Sequence, residues 1–338
     1  SIVFTAICAI KQIPKMFTHK DIEYRSVFVV NCIENKNLRV AGGELLLENT
    51  EDQKTLTKLP FQKILALFII GHITITTPLI DKCTKFGIPL VVMKSNLRPV
   101  FFFSVTAEAN FLLRKKQFEL DKNDLQIPKI LVENKISNQL RLLEKTRKKS
   151  LLMEKAKELC ANSLLLVENS TEYDEIMGLE GRSAKSFFAA YFEQSEWKAR
   201  CPRTKIDPVN ATLDIGYTIL FNYIEAFVRL FGFDPYIGVY HRQWFKRKSL
   251  VCDLMEPFRC LIDQQVRKAF NTKQCGIEDF NLFKNEFVLK QEKNSVYCKM
   301  FYDVLIHYKK DVFTYVRDYY RCFMQKKSTP HYPRFLID

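Results

Sequence analysis

The hydrophobic pattern of this chain changes its period near residue 106, and this change limits the folds that are open to it. Before that point, short β-branched and aromatic runs such as Ser26–Cys32 and Pro99–Val105 alternate with polar turns. Such runs predict strands. After it, apolar residues recur at intervals of three and four, most clearly over Asn210–Phe231, and Gly232 follows. That spacing predicts a long α-helix with a glycine at its end.

The sequence therefore predicts an α+β protein of two domains. We expect a small, mainly β N-terminal domain over residues 1–106 and a larger all-α domain over residues 107–338. A polar turn separates Ser26–Cys32 from Leu38–Val40, and this arrangement predicts a hairpin between them. A short helix is expected around Thr76–Phe86, ending at a glycine.

The formal net charge of +14 indicates a polyanionic partner, either a nucleic acid or an anionic membrane. The longest apolar run, Ile64–Ile70, is too short to span a bilayer and predicts a buried strand or a short helix. Ser1–Ile10 lacks a preceding basic segment, so no signal peptide is expected. None of the ten cysteines forms a Cys-x-x-Cys pair, which argues against a zinc ribbon. Their scattered positions are typical of a reducing compartment and favour the cytoplasm.

Three segments of the second domain carry candidate chemical groups. Glu180 lies between Gly178 and Gly181, and two glycines would let a substrate approach its carboxylate. The alternative interpretation is a helix start, with Glu180 near the positive end of the helix dipole. His241 precedes a basic run and is a good ligand type for a transition metal. It could equally be a hydrogen-bonded loop histidine.

The third segment contains Asp253 and Glu256, whose spacing of three places both carboxylates on one face of a helix. The same spacing fits a capping box with Asp253 as the N-cap residue. Two acids and a histidine in basic surroundings are what a phosphodiester enzyme needs to hold a divalent ion. The nearby cations are candidate phosphate contacts or solvated surface: Arg182, Lys185, Arg242, Lys246, Arg247, Lys248 and Arg259.

These motifs resemble a known family. GLEG at 178–181, the stretch NATLDIGYTILFNYIEAFVRLFGFDPYIGVYH at 210–241 and SLVCDLMEPFR at 249–259 resemble the CRISPR-associated spacer integrase, the universal subunit of CRISPR adaptation. The resemblance implies a β-rich N-terminal domain and an α-helical, metal-dependent catalytic domain. It also implies a prokaryotic homodimer whose dimers flank a small ferredoxin-like partner and carry a short DNA duplex.

The resemblance further implies a mechanism and a ligand set. The 3′-hydroxyls of the duplex would attack the backbone of a CRISPR repeat, with Mg²⁺ or Mn²⁺ held by Glu180, His241 and Glu256 and with Asp253 in support. The chain departs from the family where Lys185 replaces a common arginine and Lys248 a frequent proline. Residues 1–24 look like an addition.

Three alternative functions stay open. One is an integrase of the same family that serves a mobile element, although such relatives tend to carry extra DNA-binding domains. Another is a non-catalytic, basic DNA-binding scaffold that keeps the fold but not the reaction. The third is a general nuclease that acts on branched DNA.

Overall fold

The computed structural model describes residues 19–32, 35–104, 110–121, 123–147, 150–193, 197 and 199–338. The chain divides into two compact units. The first comprises 1–119, 222–235 and 305–326, and the second comprises 120–221, 236–304 and 327–338. The predicted boundary at residue 106 stays a prediction. Residues 1–18, the greater part of the predicted N-terminal addition, lie outside the described residues.

The first unit contains two β-sheets. Their strands are β1 (Ser26–Cys32), β2 (Lys36–Ala41), β3 (Glu44–Asn49), β4 (Thr55–Pro60), β5 (Ile64–Gly71), β6 (Leu90–Met93) and β7 (Pro99–Phe103). The four-stranded sheet has the order β1-β5-β6-β7, in which β1, β5 and β6 are parallel and β7 is antiparallel. β2, β3 and β4 form an antiparallel sheet. Every residue of β5 is buried, as expected for a central parallel strand.

The predicted hairpin between β1 and β2 is wrong. β1 pairs with β5 instead, and β2 pairs with β3 across Gly42 and Gly43. Both glycines have positive φ, +58° and +80°, which a two-residue hairpin turn of the primed type requires. This turn closes β2 onto β3, while β1 is taken up by the buried strand β5.

The described helices lie before β1, between β5 and β6, and after β7. They are α1 (His19–Tyr24), α2 (Thr77–Phe86), α3 (Phe111–Phe118), α4 (Gln126–Glu144), α5 (Leu151–Asn169), α6 (Tyr173–Tyr191), α7 (Pro208–Leu230), α8 (Ser249–Met255), α9 (Arg259–Asn271), α10 (Asn294–His307) and α11 (Lys309–Gln325). None of the helices in the described part of the chain is long and apolar enough to cross a membrane.

The predicted fold class is confirmed: a β region comes first and a mostly helical region follows. The helix expected around Thr76–Phe86 is α2, and Gly87 ends it in the left-handed conformation with φ +62°. The helix expected over Asn210–Phe231 is α7. The helical region also contains a small hairpin, β8 (Phe280–Phe283) and β9 (Glu286–Leu289), which the all-α prediction did not anticipate.

Helix α4 organises the second unit around the candidate site. It packs against α5, α6 and a 3-10 turn over Glu256–Phe258 that follows α8. The buried amide of Asn138 donates to the carbonyls of Pro257 and Phe335, each at 2.9 Å. The rings of Phe258 and Phe335 stack with centroids 4.5 Å apart. These contacts hold the turn, and with it Glu256, against α4.

Candidate functional site

Glu180 lies well inside helix α6 rather than at its start. The helix begins at Tyr173 because a capping box precedes it: the Glu175 side chain accepts the backbone N–H of Glu172 at 3.3 Å. The interpretation of Glu180 as a helix-start residue is therefore wrong. Its side chain is 17% exposed, and its Oε2 accepts a hydrogen bond from the Tyr240 hydroxyl at 2.5 Å.

Asp253 is completely buried and organises the loop that carries His241. Its carboxylate accepts the backbone N–H groups of Val239, Tyr240 and His241 at 2.6, 3.1 and 2.8 Å. It also lies 2.7 Å from Nδ1 of His241. The capping-box interpretation is wrong, since α8 begins at Ser249 and Asp253 lies inside it. The loop comes so close that a Cβ on Gly238 would lie 2.5 Å from Oδ2 of Asp253.

Glu256 begins the 3-10 turn and is almost fully buried. Its Oε1 lies 2.9 Å from Nε of Arg259 and 4.0 Å from Nε2 of His241. The two ring nitrogens of His241 thus face two carboxylates, Nδ1 that of Asp253 and Nε2 that of Glu256.

Lys135 on α4 completes the cluster, and no local signal in the sequence identified it. Its ammonium group forms an ion pair with Oε1 of Glu180 and lies 2.7 Å from Oε2 of Glu256. The lysine side chain is 13% exposed. One cationic group therefore stands between the two glutamates that were predicted to hold a metal ion.

The cluster holds its carboxylates in the charged form. Burial alone would raise the pKa of Glu256, but the charges of Arg259 and Lys135 outweigh burial and lower it to about 2. For Glu180, burial is again opposed by Lys135, and the pKa falls below its usual range. Burial would lower the pKa of Lys135, but the two glutamates raise it. Both carboxylates are thus ionised and Lys135 is protonated at neutral pH.

The donor set suits a divalent cation. Carboxylate oxygens are the ligands that Mg²⁺ and Mn²⁺ prefer, and a neutral imidazole nitrogen is acceptable beside them. The cluster already binds a cation, the Lys135 ammonium, at the place where the two carboxylates meet. As they stand, no three acidic, histidine or cysteine side chains among the described residues are grouped closely enough to hold a metal ion. The residues fit the ion by chemistry and by charge.

Solvent reaches the cluster through an open cavity of about 320 Å³. Its lining includes Glu180, Tyr240, His241, Arg242 and Arg247. The Arg242 guanidinium lies 4.5 Å from the centre of the Tyr173 ring and 3.7 Å from Asp174. The cavity therefore combines a carboxylate, an imidazole and two guanidinium groups.

The other candidate cations have different surroundings. Arg182 and Lys185 are exposed on α6, and Lys246 is exposed in the loop after His241. Lys248 is half-buried, with its ammonium 5.9 Å from the Phe221 ring. Arg259 turns inward, pairs with Glu256 and lies 4.6 Å from the centre of the Tyr217 ring.

Sequence analysis also missed two exposed aromatic residues in the loop that separates His241 from α8. Trp244 is 78% exposed and Phe245 is 82% exposed. Their neighbours in the chain are mostly basic, as the sequence shows. The exposure of the two rings is seen only in the structure.

Comparisons with known proteins identify the family of this chain. The family model described as "CRISPR associated protein Cas1" matches residues 32–303. The CRISPR-associated endonuclease Cas1 1 of Thermodesulfovibrio yellowstonii is 32% identical over 71% of this chain and 77% of its own length. The CRISPR-associated endonuclease Cas1 3 of Thermus thermophilus is 28% identical over 75% of this chain and 78% of its own length.

Solved structures share the fold. A Cas1 protein from Thermotoga maritima superposes with a TM-score of 0.72 at 17% identity, over 92% of this chain and 100% of that one. A casposase bound to integration product superposes with a TM-score of 0.71 at 19% identity, over 93% and 96% of the two chains. On the sequence match over residues 32–303 and the identity to curated relatives, this chain belongs to the Cas1 family of CRISPR-associated proteins.

Proposed function

We propose that this protein is a divalent-metal-dependent DNA endonuclease and integrase that inserts short duplexes, as new spacers, into a CRISPR repeat array. One observation carries the proposal. Glu180 and Glu256 are 76 residues apart in the chain, yet both contact the Lys135 ammonium, and His241 lies beside Glu256. The relatives that are named CRISPR-associated endonucleases support it. So does the fold shared with a casposase bound to integration product.

In this proposal, Glu180, His241 and Glu256 hold Mg²⁺ or Mn²⁺. Such an ion polarises the phosphodiester and stabilises the charge on the departing oxygen. Asp253 orients the imidazole through Nδ1, and Tyr240 orients the Glu180 carboxylate. These two are positioning residues.

The reaction is a direct transesterification. A 3′-hydroxyl oxygen of the incoming duplex forms a bond to a phosphorus atom of the repeat. The bond from that phosphorus to the 3′-oxygen of the repeat strand breaks, and this oxygen leaves with a proton. The number of phosphodiester bonds is unchanged, so the step needs no protein nucleophile and no external energy source.

The basic residues near the site are the proposed DNA contacts: Arg182, Lys185, Arg242, Lys246, Arg247, Lys248 and Arg259. Arg242 and Arg247 line the cavity at the site and are the best placed of these. Arg259 also neutralises Glu256 from within. We further propose that the chain acts as a homodimer with a small ferredoxin-like partner in the prokaryotic cytoplasm. The fold that it shares with a chain of a partial Cas6-RT-Cas1–Cas2 complex supports assembly with another CRISPR-associated protein.

The test is integration of a short duplex into a plasmid that carries a CRISPR repeat, with Mg²⁺ or Mn²⁺ present. We expect Glu180→Gln, His241→Ala and Glu256→Gln each to reduce strand joining at least about a hundredfold, since each removes one proposed ligand. Glu158→Gln, an exposed change on α5, is the matched control and should join strands as the parent does. Full activity in excess chelator would refute the metal requirement.

The same assay separates the alternatives. A non-catalytic scaffold would bind the duplex but join no strands under any condition. A nuclease of branched DNA would cleave branched substrates faster than it joins a duplex to the repeat. Joining that requires all three ligands and exceeds cleavage would support the integrase.

A further inference from the structure

Lys135 occupies an unusual position for a lysine near a proposed metal site. Its ammonium stands between the carboxylates of Glu180 and Glu256, two of the three proposed ligands. Oε2 of Glu256 is buried and lies 2.7 Å from the ammonium. The ammonium therefore neutralises both carboxylates from one position, as a bound cation would.

We infer that Lys135 is a built-in counterion that fills the place of the metal and is displaced when Mg²⁺ or Mn²⁺ binds. The inference rests on the proposed function and deepens it, because it assigns to the same site a side chain that competes with the metal ion. Without a cation, two ionised carboxylates would face each other in a poorly solvated site and repel. The lysine prevents this, and its flexible four-carbon stem lets the ammonium leave without a backbone change.

Two consequences distinguish this role from an ordinary structural ion pair. A purely structural lysine would be needed equally with and without metal. A displaceable counterion stabilises only the metal-free protein and competes with the metal, so removing it weakens the metal-free state but tightens metal binding. When the metal ion displaces it, the Lys135 ammonium moves away from the carboxylates and stays charged.

The test uses Lys135→Met, which keeps the length of the side chain and removes the charge. In chelator, we expect the variant to melt at a lower temperature than the parent. Mn²⁺ should raise its melting temperature more than that of the parent. By Mn²⁺ titration without DNA, we expect its dissociation constant to be at least about tenfold lower, because the competing cation is gone.

Lys129→Met is the matched control on the same helix, because Lys129 contacts only the carbonyl of Glu168 among the bonds described. It should leave Mn²⁺ affinity unchanged. A second measurement needs no variant: acylation of Lys135 by an amine-reactive reagent, followed by mass spectrometry, should increase several-fold when Mn²⁺ replaces chelator, while Lys129 labelling stays constant.

Each result decides the matter. Equal or weaker Mn²⁺ binding by Lys135→Met, or unchanged labelling of Lys135, would overturn the counterion role while leaving the integrase proposal standing. Absence of Mn²⁺ binding by parent and variant alike would refute the metal requirement and the counterion role together. If Lys135→Met binds Mn²⁺ more tightly than the parent and the parent joins no DNA strands, the counterion role is supported and the integrase proposal is refuted.

A separate observation concerns Trp244 and Phe245. Both rings are exposed, although aromatic side chains usually seek burial. They lie in a turn held by a hydrogen bond from the Arg247 N–H to the Trp244 carbonyl at 2.9 Å. Arg242, Lys246 and Arg247 surround them in the chain, and two of these line the cavity of the site.

We propose that this aromatic pair stacks on unpaired bases at the end of a DNA strand that enters the cavity. Exposed rings beside cations are the combination that binds single-stranded nucleic acid, since every base presents a π-face and every nucleotide a phosphate. A protein partner would be expected to match the rings with apolar surface and would gain little from the surrounding charge.

The chain has two tryptophans, and Trp197 packs against Phe188 and Phe192, so Trp197→Phe leaves Trp244 as the only tryptophan, whose emission can be excited selectively over that of tyrosine. We expect a duplex with unpaired 3′ ends to quench Trp244 more strongly than a blunt duplex of equal charge. Phe245→Ala should weaken binding of the duplex with unpaired 3′ ends about tenfold and leave binding of the blunt duplex unchanged, since one ring on which a base would stack is lost.

Equal quenching by both duplexes would refute base stacking while keeping DNA binding. A quench that instead follows protein concentration, without DNA, would assign the rings to contact between copies of the chain. Failure to bind either duplex would refute the proposed function as well.

Discussion

At the scale of single residues, the carboxylates of the candidate site have different roles. Asp253 accepts three backbone N–H groups and contacts the His241 ring, so its role is to shape the loop. Glu180 and Glu256 instead meet a cation. A fourth carboxylate, that of Asp263, is buried and accepts a hydrogen bond from the Tyr217 hydroxyl.

We expect Asp253→Asn to lower the free energy of unfolding by about 2–4 kcal/mol, because the amide NH₂ cannot accept the loop N–H groups and leaves buried donors unpaired. Urea denaturation measures the change. Asp174→Asn is the control: its side chain is 80% exposed, and its ion pair with Arg242 should contribute less than about 1 kcal/mol. Equal losses in both variants would contradict the role of Asp253.

Asp263 makes stability depend on pH. Burial raises its pKa to about 7, against the opposing effects of Tyr217 and Arg259. The folded state therefore binds a proton that the unfolded state releases near pH 4, so this residue favours folding at low pH, and that contribution is lost as pH rises to about 7. We expect Asp263→Asn to be more stable than the parent by about 1–3 kcal/mol at pH 8 and to lose this advantage near pH 4. A stability difference independent of pH would contradict the assignment.

At the scale of elements, helix α6 carries Glu180 between two glycines that its own packing does not require. A Cβ built on Gly178 or on Gly181 meets no atom within 4 Å. Both have ordinary helical φ, since neither is among the glycines with positive φ. Glycine in a helix interior normally lowers the stability of the helix. At these two positions no neighbouring atom excludes a larger side chain, so packing does not explain the glycines.

We expect Gly181→Ala to raise the free energy of unfolding by about 0.5–1 kcal/mol, since alanine restricts the unfolded chain and suits the helix. We also expect slower strand joining, because the added methyl group crowds the approach of DNA to Glu180. Thermal denaturation and the integration assay measure the two effects. A more stable variant with full activity would show that the glycine serves no substrate.

At the scale of the whole molecule, the net charge of +14 is the feature that bears most on the proposed binding of DNA. Each phosphate neutralised by lysine or arginine releases condensed counterions, so affinity depends steeply on salt. Apolar cores occupy both units, and the charge is carried mainly by exposed side chains. DNA affinity is therefore expected to come from the surface as a whole, while the proposed reaction would take place in one cavity.

For six to ten phosphate contacts, we expect the affinity for a short duplex to fall by about 10³–10⁵ between roughly 50 and 200 mM salt. Lys185→Ala should reduce the slope of log affinity against log salt by about one, as one proposed phosphate contact is lost. Lys299→Ala is the control, because this lysine pairs with Asp303 at 2.6 Å. A salt-independent affinity would contradict electrostatic binding.

Local patterns in the sequence were sufficient to predict helices α2 and α7 and the order of the two regions. Helix α2 with Gly87 at its end and helix α7 follow from spacing, propensity and a glycine stop, which act over a few residues. The candidate ligands Glu180, His241 and Glu256 were identified from short motifs and from the family resemblance. Their roles stay predictions.

Tertiary structure alone decided what depends on residues far apart in the chain. The partner of strand β1 was mistaken because pairing with β5 is a long-range choice, whereas the turn signal was local. Lys135 lies 45 residues before Glu180 on an ordinary helix, and nothing near it in the sequence indicates an ion pair. Only folding brings an ammonium group to the carboxylates, because charge acts through space and not along the chain.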